Sequence, residues 1–213
     1  MPGRHRCGAV NRVVAELEQL RRELEQCEGC PLSDSSPTVV FGEGDPHSPM
    51  VLVGEGPGER EEIEGRPFVG RAGQLLDRLL ASAQLRREEL WITNVLKRRA
   101  SKLVGGRVKN RLPRADELAF YKQYLDRELR IISPRLILCL GNLAANVLIH
   151  RGFRMTQEHG HWFSGLSGKK LMATYHPAYI LRLEGAEYEE VLRQAMEDFA
   201  LAAAEYRAIH ADG

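Results

Sequence analysis

Apolar residues along the chain fall into two spacings, and the switches between them predict the elements. Val13, Val14, Leu17, Leu20 and Leu24 recur at helical spacing and predict an opening amphipathic helix that ends near Cys27. Short apolar stretches at 38–41 and 50–53 read as strands, and the second runs straight into Gly54-Glu-Gly-Pro-Gly58. Leu75, Leu76, Leu79 and Leu80 share one face of a helix predicted over 72–85. A strand at 90–95 follows, then a helix over 114–132 stopped before Pro134, a buried strand at 136–140 and a helix over 141–150. A last strand at 171–175 ends at His176-Pro177, and a long helix over 186–207 closes the chain. Alternation of strand and helix predicts an α/β fold, a parallel sheet with helices on both sides, in one domain over residues 1–213. Within it, 1–26 form an N-terminal helix and 97–113 a basic loop insertion, where Gly105-Gly106 argues against regular structure.

Composition narrows the class. With 213 residues, 43% of them hydrophobic and 28% charged, the chain has globular rather than disordered composition. No apolar run approaches the roughly 20 residues of a membrane helix. The basic start, Met1-Pro-Gly-Arg-His-Arg6, lacks the apolar stretch of a secretion signal, so a cytoplasmic monomer with no membrane partner is expected. The net charge of +1 does not by itself announce a nucleic-acid binder. Its distribution says more: Lys97, Arg98, Arg99, Lys102, Arg107, Lys109, Arg111 and Arg114 follow one another with no acidic residue between them. Acidic residues gather instead at 55–64 and in the closing helix. Such segregation suits a face that meets phosphate, although a solvated loop carries the same pattern.

Chemistry concentrates where strands end. Gly54-Glu-Gly-Pro-Gly58 with its extension to Phe68, Thr93-Asn94, and His176-Pro-Ala-Tyr-Ile-Leu-Arg182 each fall at or just after a predicted strand. Loops at the carboxyl ends of parallel strands converge, so Glu55, Glu61, Phe68, Asn94 and His176 are expected to share one pocket. Taken singly, each has a plainer reading as a turn, a cap or a structural histidine. The glycine-rich segment fails both nucleotide-binding patterns: Glu59 and Glu61 stand where a third glycine is needed, and no Gly-Lys-Ser/Thr follows. Of Cys7, Cys27, Cys30 and Cys139, the last lies in the apolar run at 136–140 and reads as a core thiol. Cys27-Glu-Gly-Cys30 has metal or cluster spacing, with no second pair after it.

These residues have a family likeness. Gly54-Glu-Gly-Pro-Gly-Glu-Arg-Glu61, Gly65-Arg-Pro-Phe-Val-Gly-Arg-Ala-Gly-Gln-Leu-Leu76, Ile92-Thr-Asn-Val-Leu-Lys97, Asn110-Arg-Leu-Pro113 and Tyr175-His-Pro-Ala-Tyr-Ile-Leu-Arg182 closely resemble the motifs of family 4 uracil-DNA glycosylases. The likeness runs from Cys27 to Arg182. It implies a three-layer α/β/α fold with a central four-stranded parallel sheet. It also implies a monofunctional enzyme that hydrolyses the N-glycosidic bond of uracil in DNA, single- or double-stranded, as the first step of base excision repair. By resemblance, Phe68 stacks on the flipped base, Asn94 reads its edge, the backbone at Glu55 and Gly56 holds another side, and His176 sits near O2. Glu61 or Glu55 handles the water or the cationic sugar. No lysine in these motifs offers a Schiff-base nucleophile, in keeping with simple hydrolysis. Tyr179, Ile180 or Leu181 fills the gap left by the base, with Arg182 on phosphate. Lys102, Arg107 and Lys109 in the insertion meet further phosphates. The alternatives are a catalytically weak DNA-binding protein of the same fold and a glycosylase for another deaminated base.

The sequence also departs from its relatives. The family holds a 4Fe-4S cluster on four cysteines, of which Cys27 and Cys30 match the first pair; Arg98 and Tyr121 stand at the other two positions. Loss of the cluster is therefore expected, with Arg98 and Tyr121 filling its place and Cys27 and Cys30 left as relics, a disulfide or a zinc site. The stretch 100–109 is longer than the family's usual connection and is similar to an insertion in the related family X. That family traps the sugar covalently through a histidine here, where this chain has Asn110, so no covalent trapping is expected.

Overall fold

The computed structural model describes residues 4–165 and 168–211, with side chains from Arg12 onward except that of His210, so the side chain of Cys7 lies outside the described residues. Helix α1 (Arg4–Glu25) opens the chain, and β1 (Glu43–Gly44) and β2 (Met50–Gly54) follow. Helices α2 (Glu59–Glu64) and α3 (Arg71–Ser82) lead to β3 (Trp91–Asn94), then to a hairpin of β4 (Ser101–Val104) and β5 (Arg107–Asn110). Next come α4 (Ala115–Ile132), β6 (Leu136–Leu140), α5 (Asn142–Leu148), α6 (Met155–Glu158), β7 (Phe163–Ser164) and β8 (Lys170–Thr174). The short α7 (Pro177–Ile180) and the long α8 (Gly185–Ala211) finish the fold.

The central sheet has six strands in the order β1-β3-β2-β6-β8-β7, where four were expected. The expected parallel set is its middle, β3-β2-β6-β8. Each edge carries a two-residue antiparallel strand, too short to show a period in sequence. The expected strand at 38–41 does not form a ladder; its Val40 N–H donates to the Lys97 carbonyl (2.8 Å), and β1 begins two residues later.

Register explains the three layers. Leu52, Ile92, Leu138 and Met172 lie side by side across the strands and face a core built with Leu75, Leu76, Leu79 and Phe199 from α3 and α8. One residue along, Val53, Cys139 and Ala173 face the opposite core, with Leu20, Leu24, Tyr121 and Leu125 from α1 and α4. The two-residue period of a strand thus buries both faces, which is why these strands read as continuous apolar runs. Burying one such leucine is worth about 1.5–3 kcal/mol. Burial also pushes the Cys139 thiol above its usual range, leaving it an inert core side chain. No helix among the described residues is long and apolar enough to cross a membrane.

Strand order fixes where loops meet. From β2 the chain moves to β3 on one side, then crosses to β6 on the other and on to β8. The carboxyl end of β2 is therefore a switch point, where an open α/β sheet leaves a crevice. The loops after β2, β3, β6 and β8 all open into it.

Candidate uracil pocket and DNA-facing surface

Two glycines show how tightly those loops converge. A Cβ at Gly54 would collide with Asn94 Oδ1 and lie 2.5 Å from Phe68 Cζ, so β2 can end between these two side chains only as glycine. A Cβ at Gly141, just after β6, would come within 2.8 Å of His176 Cβ. Gly141 was not singled out from sequence, although its place directly behind a five-residue apolar strand marks a close backbone approach. The Phe68 and His176 rings lie 5.8 Å apart at 31°.

Phe68 is 6% exposed and takes a left-handed backbone (φ 53°), unusual for an aromatic residue. Helix α3 packs against it so closely that only a glycine fits at position 73, next to the Phe68 carbonyl. The carboxylate of Glu61 closes the same loop: its Oε1 accepts from the amides of Val69 (3.0 Å) and Gly70 (2.8 Å). Glu61 is thus a staple at the start of α3 as well as a pocket carboxylate, with Oε2 turned toward Gly58.

Asn94 ends β3 at 2% exposure, and its Oδ1 has no hydrogen-bond partner among the described residues. A buried amide oxygen without a partner carries a desolvation cost of about 1–3 kcal/mol, which a bound donor would recover. His176 sits at the start of α7, where its Nδ1 accepts the Ala178 amide (3.1 Å). The proton of the neutral ring is therefore on Nε2. Burial lowers the imidazole to about 4, the positive charge of Arg182 adding to this and the negative charge of Glu61 opposing it, so the ring is uncharged at neutral pH. Burial raises the Glu55 carboxyl, and Arg182 opposes it. Glu55, Glu61, Phe68, Asn94 and His176 thus lie together at the strand ends, with the charge of Arg182 close to Glu55 and His176.

The expected wedge is narrowed. Ile180 is fully buried in the core beneath α7 and cannot leave it, Leu181 is half-buried, and Tyr179 stands exposed, stacked on Tyr175 (6.0 Å, 15°) under the Arg182 guanidinium. The basic run is corrected too. Lys97, Arg98 and Arg99 are buried at 0%, 3% and 5% exposure and face the interior, so they form no part of a phosphate-binding face. Alternating charge and apolar residues around the two glycines turn 101–110 into the β4–β5 hairpin rather than a loop, pairing Lys102 with Lys109 and Val104 with Arg107, while Arg111 and Arg114 beyond it pair with Glu117. Lys102, Arg107 and Lys109 are exposed and have no ion-pair partner among the described residues. Arg99 anchors the hairpin by donating to Asn110 Oδ1 (2.7 Å) and Glu62 (3.2 Å).

Beside Cys27 and Cys30 stand two buried side chains, Arg98 and Tyr121. Arg98 reaches in to donate to the carbonyls of Ser36 (2.9 Å), Pro37 and Leu24 (3.3 Å). Tyr121, fully buried, donates its hydroxyl to the Pro31 carbonyl. Burial raises the Cys27 thiol, and the positive charge of Arg98 opposes it. Two thiols, a guanidinium and a phenol do not fit an iron–sulfur cluster, which takes four thiolates or their equivalent.

Comparison with known proteins agrees with this geometry. Residues 41–200 match the model of the uracil DNA glycosylase superfamily. The chain is 37% identical to a type-4 uracil-DNA glycosylase of Thermotoga maritima over 85% of its length and 91% of that protein's. It is 36% identical to the type-4 enzyme of Archaeoglobus fulgidus, over 86% of this chain and 89% of the other. The type-4 enzyme of Pyrobaculum aerophilum matches at 36% over 78% and 85%. The chain belongs to the uracil-DNA glycosylase superfamily, among its type-4 members.

Proposed function

We propose that this chain is a monofunctional DNA glycosylase that removes uracil from DNA, and that it does so without an iron–sulfur cluster. The observation that carries the reading is the buried, unpartnered Asn94 Oδ1 between Gly54 and the Phe68 ring. A uracil flipped from the stack lies against Phe68. Its N3–H donates to Asn94 Oδ1, and its O4 accepts from the same amide. Cytosine presents an acceptor at N3, which would leave two buried acceptors facing each other. His176 Nε2–H points at O2. As water adds to the sugar C1′, the bond to N1 breaks and its electron pair passes into the ring. A neutral donor at O2 stabilises that charge as it develops, worth about 2.7–4 kcal/mol for one such contact. Glu61, through its second oxygen, holds the water or the cationic sugar, with Glu55 the other candidate carboxylate. The water's proton leaves through one of them.

Around the pocket, Tyr179 enters the gap left by the base and Arg182 takes phosphate. Lys102, Arg107 and Lys109 extend the contact along the backbone of the DNA. Arg98 and Tyr121 support the loop that a cluster supports in relatives. The test is a time course of free-base release from oligonucleotides that differ only in carrying uracil, cytosine or hypoxanthine. Uracil release alone is expected. Tight binding of uracil-DNA without release would make the chain a binding protein, and preferred release of hypoxanthine would reassign the base.

A further inference from the structure

Behind Asn94 lies a group that the chemistry above does not use. Lys97 and Glu128 are both 0% exposed and form an ion pair at 2.5 Å. All three ammonium protons are taken: by Glu128 Oε2, by Thr93 Oγ1 (2.5 Å) and by the carbonyl of Asn94 (2.9 Å). Glu128 is fully used as well, accepting from Trp91 Nε1 (2.9 Å) and the Thr93 hydroxyl (3.2 Å). Helix α4 thereby holds three of the four residues of β3. A position 42 other than glycine would collide with Trp91 and Glu128, so the chain closes over the pair.

Such a pair needs a reason. Burial pulls the Lys97 ammonium down and the Glu128 carboxylate opposes it, and replacement of a buried pair by apolar residues is often neutral or stabilising. The backbone supplies the reason. Strand β1 pairs with β3 only as far as Ile92, so on that edge the Asn94 carbonyl has no strand to bond. The other end of the same peptide, the Val95 N–H, donates to the Gly54 carbonyl (2.9 Å). With Lys97 on its oxygen, the peptide plane after Asn94 is held at both ends, which fixes the direction of the Asn94 side chain.

We infer that the buried Lys97–Glu128 pair positions Asn94 for base recognition. The inference rests on the reading that Asn94 grips uracil. Lys97 and Glu128 touch neither base nor sugar and act only through the Asn94 peptide.

The test uses Lys97→Met with Glu128→Gln, which leaves no buried charge unpaired and keeps an acceptor for Trp91. Uracil release under single-turnover conditions and competitive inhibition by free uracil are measured alongside circular dichroism and thermal melting. A misplacement of about 1 Å costs on the order of 100-fold, so both release and uracil affinity are expected to fall steeply in a folded protein. In an Asn94→Ala background the same pair of changes should cost less than about twofold, because what they position is gone. Should the double variant fail to fold, Thr93→Val removes one hydroxyl from the network, and a loss of roughly fivefold is expected, again absent beside Asn94→Ala. A folded pair variant that releases and binds uracil normally while Asn94→Ala does not overturns the inference alone. Losses that multiply with that of Asn94→Ala also overturn it. A normal rate in Asn94→Ala itself overturns both this inference and the reading of Asn94.

Discussion

The pocket at the strand ends and the space beside Cys27 and Cys30 are built on opposite principles. In the pocket, Asn94 Oδ1 is buried without a partner, Phe68 is held in a left-handed backbone, and His176 keeps one ring nitrogen for a ligand. Beside the cysteines, Arg98 through its two terminal nitrogens and Tyr121 through its hydroxyl donate to carbonyls of Leu24, Pro31, Ser36 and Pro37. The pocket leaves a side-chain acceptor open, whereas beside the cysteines the chain meets its own donors, Arg98 Nε excepted among the described residues. The contrast separates what a ligand can complete from what the chain has largely completed, in keeping with the proposed division between recognition and support.

Four variants and one titration sharpen or break that contrast. Tyr121→Ala opens a cavity beside the cysteines, and truncation of a buried aromatic typically costs about 3–5 kcal/mol, so thermal melting should show a large loss of stability. The folded fraction should still release uracil at the unmodified rate; a matching loss of catalysis would mean the two regions are not separate. His176→Ala and Asn94→Ala are expected to do the reverse, lowering single-turnover release by about 10²–10³ with melting little changed. Removing Lys102, Arg107 and Lys109 together should weaken DNA binding and flatten its salt dependence by about one unit of slope per lost phosphate contact. An unchanged slope would take the hairpin out of the interface. The smallest effect concerns pH. With His176 lowered to about 4, the ring is neutral from neutral pH down to that value, so release should show no His176 limb near the ordinary 6.5 and should fall only as pH approaches 4. A limb near 6.5 that disappears in His176→Ala would show a charged ring at work instead.

Much of this was legible in the sequence, for reasons that particular residues make clear. The four parallel strands are apolar on both faces because both are buried, so 50–53 and 136–140 stood out as continuous runs. The pocket residues were legible because a parallel sheet puts its sites at strand ends. What escaped has physical causes as well. Two-residue edge strands carry no period. Lys97, Arg98 and Arg99 look like a surface run in sequence, and only the carbonyls, the carboxylate of Glu128 and the side chains of Asn110 and Glu62 waiting for them in space reveal that they are internal. Ile180 reads as a wedge beside Tyr179 until α7 forms and turns it into the core. The hold of Glu61 on the Val69 and Gly70 amides was likewise invisible, since these belong to a turn that sequence does not specify.

The most direct measurement is uracil release from a single-stranded uracil oligonucleotide by a preparation whose iron content is determined in the same sample. Expected is an iron-free protein that releases uracil, with the activity lost in Asn94→Ala and His176→Ala. Release confined to an iron-containing fraction, or none at all from folded protein that binds the DNA, would contradict a pocket that works without a cluster.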